Sequence, residues 1–224
     1  MLEFILGFII FLFVISVHEF THAWVADRCG DPTARLQGRM TLDPRSHIDP
    51  IGTIFIPLSP LLFKFFAGAG SGFFGGFRFF GWAKPVPINP LKVRRWRTDN
   101  ALISLAGPTS GFLVALTAAA LLRMLKVAFP QNLVSFSVFV DILWRMGSIS
   151  VWLSLFNLIP IPPLDGYHVL TELLRLDVEK SASFLRVSGP WLLLIVINTP
   201  FLYAVLGPAY AFLFGGLFRA IAGM

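Results

Sequence analysis

Charge is scarce in this chain. Lys, Arg, Asp and Glu supply only 13% of its 224 residues, about half of the ~25% found in a soluble domain. That excludes an ordinary water-soluble globule. Cysteine is nearly absent too. Cys29 stands alone, which rules out an intrachain disulfide and any cysteine-based zinc cluster. Neither an internal repeat nor a low-complexity tract is present. What is abundant is apolar: 56% of residues are hydrophobic and the mean hydropathy is +0.75. The expectation is an all-α polytopic membrane protein, a single domain over residues 1–224 with no room for a large soluble part. Its length suits about five or six spans of ~20 residues each. The net charge of +6 does not point to nucleic acid, because basic residues of membrane proteins chiefly set topology and touch anionic lipid.

Residues 2–26 read as the first span. They lack a basic leader and a small-residue cleavage site, so they are expected in the mature protein rather than as a signal peptide. Residues 27–50 are polar, and the stretch from Ala34 to Leu42 alternates loosely, as a short strand pair would. Residues 51–82 are apolar but carry Pro57, Pro60, Lys64 and a run of glycines between Gly68 and Gly81. Arg28, Arg35, Arg39 and Arg45 precede this segment, and Lys84, Lys92, Arg94, Arg95 and Arg97 follow it. Basic flanks on both sides place both ends on the cytoplasmic face, so the segment reads as a re-entrant element, with a tight two-span hairpin as the alternative. Further spans are expected at 99–122, around Ala106-Gly107-Pro108, and at 134–159, interrupted by Arg145. Residues 187–218, broken at Pro200 and Pro208, make one span plus a surface helix or two short spans.

The chemistry concentrates at His18-Glu19-Phe20-Thr21-His22. On a helix the two histidines fall one turn apart on one face, where they can hold one zinc ion while Glu19 reaches a water bound to it. The residues before the motif, from Phe4 to Val17, carry no charge. Ionisable groups inside a span are costly and read first as functional. A catalytic zinc takes three protein ligands and keeps one position open. His47, His168 and the twelve acidic residues are the remaining candidates. Asp165 stands out, since Pro160, Pro162 and Pro163 unwind the preceding helix and let a carboxylate turn inward, with Gly166 permitting close backbone approach. Capping a helix that starts near Gly166 is the plainer role for the same residue.

At the level of motifs the chain resembles the site-2 protease family of intramembrane zinc metalloproteases, in its compact prokaryotic form. His18 to His22, Ala106-Gly107-Pro108 and the run from Asn157 to Gly166 carry the resemblance, joined by Gly38 to Gly52 and Gly81 to Pro90. They cover about residues 4–170 in the family's order. The chain departs from the family at Ser110-Gly111 and at Tyr167, positions often held there by Asn and Gly. The resemblance implies one zinc per chain on His18, His22 and Asp165, with Glu19 as general base. It implies that Asn157 lies near the scissile peptide as an oxyanion or backbone contact. It implies transmembrane protein substrates, cut in or near their spans toward the cytoplasmic face of a membrane, here expected to be a bacterial inner membrane. The 51–82 element and the 34–42 strand are expected to control substrate entry by pairing with an extended substrate. Two other readings compete. One is a catalytically silent scaffold keeping the fold, which the intact motif residues oppose. The other is a metal transporter, which would favour several metal-binding constellations along a pore.

Overall fold

The computed structural model describes residues 2–55, 58, 83–129, 136–175 and 178–223. Among these every regular element is a helix, and there is no strand. Helix α1 (Leu2–Arg28) is followed by the one-turn α2 (Thr33–Leu36), a 3-10 turn at Pro44–Ser46 and a π-helical turn at Pro50–Phe55. Then come α3 (Trp96–Ala128), α4 (Ser137–Asn157), α5 (Asp165–Leu173), α6 (Val178–Ile197) and α7 (Phe201–Tyr210). Helix α7 continues through a π-helical stretch, Ala211–Phe218, into α8 (Arg219–Ala222).

Four helices among the described residues are long and apolar enough to cross a bilayer: Glu3–Arg28, Trp96–Ala128, Ser137–Asn157 and Phe201–Ala222. The protein is an integral membrane protein. Most of the expected re-entrant element, 56–82, lies outside the described residues apart from Leu58. The C-terminal region resolves into one span and a shorter apolar helix, Ser188–Ile197. Pro208 does not break its helix, which runs on from Tyr210 through the π-helical stretch to Ala222.

Lipid offers no hydrophobic drive between spans, so close packing must hold them together. On α3, Ala115, Ala118, Ala119 and Leu122 form a small-residue face that lets α4 and α7–α8 approach, with Leu143, Val151, Phe214, Phe218 and Ala222 buried against it. Trp144 packs edge-on to Phe214 and Phe218. Ile10, Val14 and Ile15 of α1 bury against Leu153 of α4. Arg145 does not interrupt α4. Its Nε donates to Asp141 Oδ2 one turn back at 2.7 Å, and its guanidinium lies 3.8 Å from Glu3. That last pair places the start of α1 beside the first half of α4. Helices α1 and α4 therefore run parallel, with α3 antiparallel between them.

The expected strand at 34–42 is overturned. Thr33–Leu36 is a helical turn, and Arg39 N–H closes back onto Ala34 O at 2.8 Å. Asp31 explains the difference. Its carboxylate accepts the Thr33 N–H at 3.0 Å and the Thr33 hydroxyl, which starts a turn rather than a strand. The other carboxylate oxygen accepts Asn89 N–H at 2.6 Å, and Arg94 N–H reaches Cys29 O at 3.2 Å. Asp31 thus clasps the 89–94 segment to the end of α1, where Gly30, at φ +105°, closes the helix with Asp31 N–H on Ala26 O.

Burial works to raise the Asp31 carboxyl, but the bonds from Thr33 and Asn89 and the charge of Lys92 prevail and hold it below its ordinary value. A carboxyl depressed in the folded state stabilises above its unfolded pKa of about 3.9 and loses that contribution as pH falls through the folded value. Asp31→Ala should cost about 2–3 kcal/mol at neutral pH, the scale of charged hydrogen bonds lost from a buried site. Thermal unfolding in detergent reads it. The gap to wild type should hold from pH 5 to 8 and shrink below pH 4. A gap independent of pH down to 3 would show that the carboxylate charge is not what holds the clasp.

Candidate metal centre

The motif histidines His18 and His22 lie deep in α1, about 15 and 9 Å of helix rise from Arg28 respectively. Both are buried, at 4% and 7% exposure. Their rings meet edge to face with centroids 4.7 Å apart, and the two Nε2 atoms stand 3.0 Å from each other. His22 Nδ1–H donates to Ile103 O on α3 at 2.7 Å. That bond puts the proton of the neutral ring on Nδ1, so the lone pair of Nε2 faces His18 Nε2 and Asp165 Oδ2.

Asp165 completes the group from the other side. The chain leaves α4 at Asn157, passes through Pro160, Pro162 and Pro163, and enters α5 at Asp165. Gly166 makes the entry possible. A Cβ there would lie 2.7 Å from Ile159 O and closer still to the Leu158 carbonyl. The Asp165 carboxylate is not used as a cap. The residue preceding the helix is Leu164, which forms no side-chain cap bond. Asp165 Oδ2 instead lies 3.1 Å from His18 Nε2 and 3.3 Å from His22 Nε2.

Three donor atoms thus converge, and among the described residues no other group of His, Cys, Asp and Glu does so. Their chemistry fits zinc. Two imidazole nitrogens and one carboxylate oxygen are a catalytic donor set, leaving a fourth position open. Donors about 2.0–2.1 Å from one centre at tetrahedral angles stand about 3.3–3.4 Å apart, close to the separations observed. Lone pairs of a neutral imidazole and a carboxylate repel at this range, and a cation between them relieves that. His18 Nδ1 is buried without a hydrogen-bond partner.

Glu19 follows His18 on the flank of the same face and is half-buried. Asn157, the last residue of α4, donates from Nδ2 to Leu153 O at 2.9 Å and makes no described bond to the three donors. Neither alternative histidine joins the group. His47 is buried at the 83–85 segment, with Nε2 donating to Thr41 O at 2.8 Å. His168 is exposed on α5, its ring edge-on to Tyr167.

Two contributors are not visible as motif chemistry. Ile103 acts through its carbonyl, which no side-chain pattern announces. Gly107 stands in the sequence as part of the Ala106-Gly107-Pro108 stretch, with no role at the histidines announced. In the structure it is the floor under both imidazoles, where a Cβ would lie 2.5 Å from His18 Nε2 and closer still to His22 Nε2.

Comparison with known proteins bears on the family. The family model described as Peptidase family M50 matches residues 123–196. A Bacillus subtilis (strain 168) protein named "Putative zinc metalloprotease YwhC" is 34% identical over 194 residues, covering 86% of this chain and 80% of that protein. Two proteins named "Putative zinc metalloprotease Rip2" are longer. The one from Mycobacterium tuberculosis (strain ATCC 25618 / H37Rv) is 29% identical, with 83% of this chain and 64% of that protein covered. The one from Mycolicibacterium smegmatis is 28% identical, with 84% and 65% covered. No solved structure matches significantly. Similarity to YwhC across most of both chains decides the matter: this chain belongs to peptidase family M50, the site-2 proteases.

Proposed function

We propose that this chain is an intramembrane zinc endopeptidase that hydrolyses peptide bonds in or near the transmembrane segments of other membrane proteins. The observation that carries this reading is the convergence of His18, His22 and Asp165 inside a span, from two different helices. A three-donor site with an open position is arranged for chemistry, whereas a structural zinc is closed by four ligands. In this reading His18, His22 and Asp165 hold one zinc per chain. Bound there, zinc supplies a Lewis acid that acidifies water and polarises a carbonyl.

The protein's own groups do the rest. Glu19 takes a proton from the attacking water and delivers it to the leaving amine. Ile103 O holds His22 in the tautomer that presents Nε2. Asn157 turns its amide from Leu153 O toward the substrate backbone as an oxyanion or positioning contact. Arg28, Arg35, Arg39 and Arg45 crowd the chain just past the metal-centre end of α1. The positive-inside rule supports reading that end as cytoplasmic, and with it a site toward the cytoplasmic side of a membrane, in this reading a bacterial inner membrane. Water then has a short path to the site from that face.

Zinc content of detergent-purified protein tests the reading. About one zinc per chain is expected in wild type and well under half of that in His22→Ala and in Asp165→Ala. In proteoliposomes, cleavage of a single-span reporter should stop on chelation and return with zinc. A wild type that stays empty when zinc is offered, or cleavage indifferent to chelation, would overturn the proposal.

A further inference from the structure

Asp165 is carried by a helix of 9 residues, too short to be stable alone. Each residue of axial slip would move its carboxylate by about 1.5 Å, enough to lose the histidines. Something must set the register of α5. At its start, Gly166 rests on the Leu158 carbonyl. At its far end, Asn100 Nδ2 on α3 donates to Glu172 Oε1 at 3.0 Å. Asn100 is buried at 6% exposure, and the neighbouring Thr171 is buried at 5%.

The spacing of these points is informative. Glu172 follows Asp165 by seven residues, which returns it to the same face of α5 about 10.5 Å further along. Asn100 precedes Gly107 by the same seven residues on α3. Gly107 is the floor of the imidazole pair that Asp165 meets. The two antiparallel helices are therefore matched at two places of equal separation. One is the donor group over Gly107, and the other is the Asn100–Glu172 bond.

We propose that Asn100 and Glu172 are positioning residues, a clamp that sets the register of α5 on α3 and thereby places Asp165 at the metal centre. This rests on the reading of Asp165 as a zinc ligand. Asn100→Leu removes the donor while keeping the branched skeleton of the side chain. Glu172→Gln is the conservative variant, since its amide oxygen still accepts from Asn100.

Two measurements test the clamp. The first needs no metal. Nitroxide labels at Leu113 on α3 and Leu173 on α5, both exposed, in a Cys29→Ser background, report the register of the metal-free protein. Asn100→Leu should shift or broaden that distance by about 1.5 Å or more, and Glu172→Gln should leave it unchanged. An unchanged distance in Asn100→Leu refutes the clamp, whatever the metal does. The second measurement is zinc affinity by chelator competition. Asn100→Leu should weaken it about tenfold, the low end for residues that orient ligands, and Glu172→Gln should retain it. In an Asp165→Ala background, Asn100→Leu should cost nothing further. An equal loss in that background would refute positioning through Asp165. An Asp165→Ala variant with wild-type zinc affinity would instead overturn the ligand assignment itself.

Discussion

Glu19→Gln should retain close to one zinc per chain and lose peptide hydrolysis by on the order of a thousandfold or more. General acid–base catalysis contributes about 10²–10⁴, and Glu19 is asked to act twice, first as base and then as acid. Glutamine keeps the size and the hydrogen-bonding reach of glutamate but can neither accept nor deliver a proton at neutral pH. The variant separates two roles that sit on adjacent residues. His18 is one of the three converging donors, whereas Glu19 is on the flank of that face and outside the donor group. The measurement is the initial rate of cleavage of a single-span reporter in proteoliposomes, with metal analysis on the same preparation. Cleavage within tenfold of wild type would remove Glu19 from the mechanism. Loss of zinc together with activity would make Glu19 part of the metal site and not its base.

The grouping of His18, His22 and Asp165 is largely legible in the sequence, for two physical reasons. Helical periodicity dictates that His18 and His22 share a face. The proline run before Asp165 dictates that a helix ends there, and a carboxylate beside unwound backbone in an apolar chain needs a partner. The structure brings these three residues together. What was not legible acts through backbone or through the absence of atoms. The Ile103 carbonyl has no residue-type signature. Gly107 announces itself within Ala106-Gly107-Pro108, but not as the floor under two imidazoles.

Misread elements follow the same logic. Loose alternation over Ala34 to Leu42 suggested strands, but a single side chain, Asp31, redirects the backbone into a turn and ties it to Asn89, 58 residues away. Arg145 looked like an interruption of its span because its partners had to be found. Asp141 lies one turn back on the same helix, and Glu3 is at the opposite end of the chain. Pro208 looked like a break because sequence reading assumes regular α-helical register. The helix nevertheless runs on to Ala222, in π-helical register from Ala211 to Phe218. Local pattern predicted local structure well where helices are long and apolar. It failed where one long-range hydrogen bond or ion pair decided the outcome.

A single methyl group at the right place should empty the site while leaving the fold. Gly107→Ala places a Cβ 2.5 Å from both Cε1 and Nε2 of His18 and nearer still to His22 Nε2. Neither ring can simply swing aside. His22 is pinned by its bond to Ile103 O, and His18 is buried against His22 edge to face. Relief must come from rotating the imidazoles or from separating α1 and α3, and zinc ligand distances tolerate only about 0.2 Å. Zinc affinity should fall on the order of a hundredfold or more, since two ligands move at once and even orienting residues cost about 10–100-fold. The stability cost is expected to be smaller. Overpacking costs about 1–3 kcal/mol, and replacing a mid-helix glycine by alanine returns about 0.5–1 kcal/mol. The metal-free variant should therefore unfold close to wild type, which separates a lost site from a lost fold. Gly111→Ala is the control on the same helix. Its Cβ would crowd Ser154 Oγ and lie 3.2 Å from Ser150 O, away from the imidazoles, so it should keep its zinc. Wild-type zinc affinity in Gly107→Ala would mean that the imidazoles are not seated on this glycine. Equal zinc loss in both variants would mean that general loosening of α3, and not the floor of the site, controls the metal.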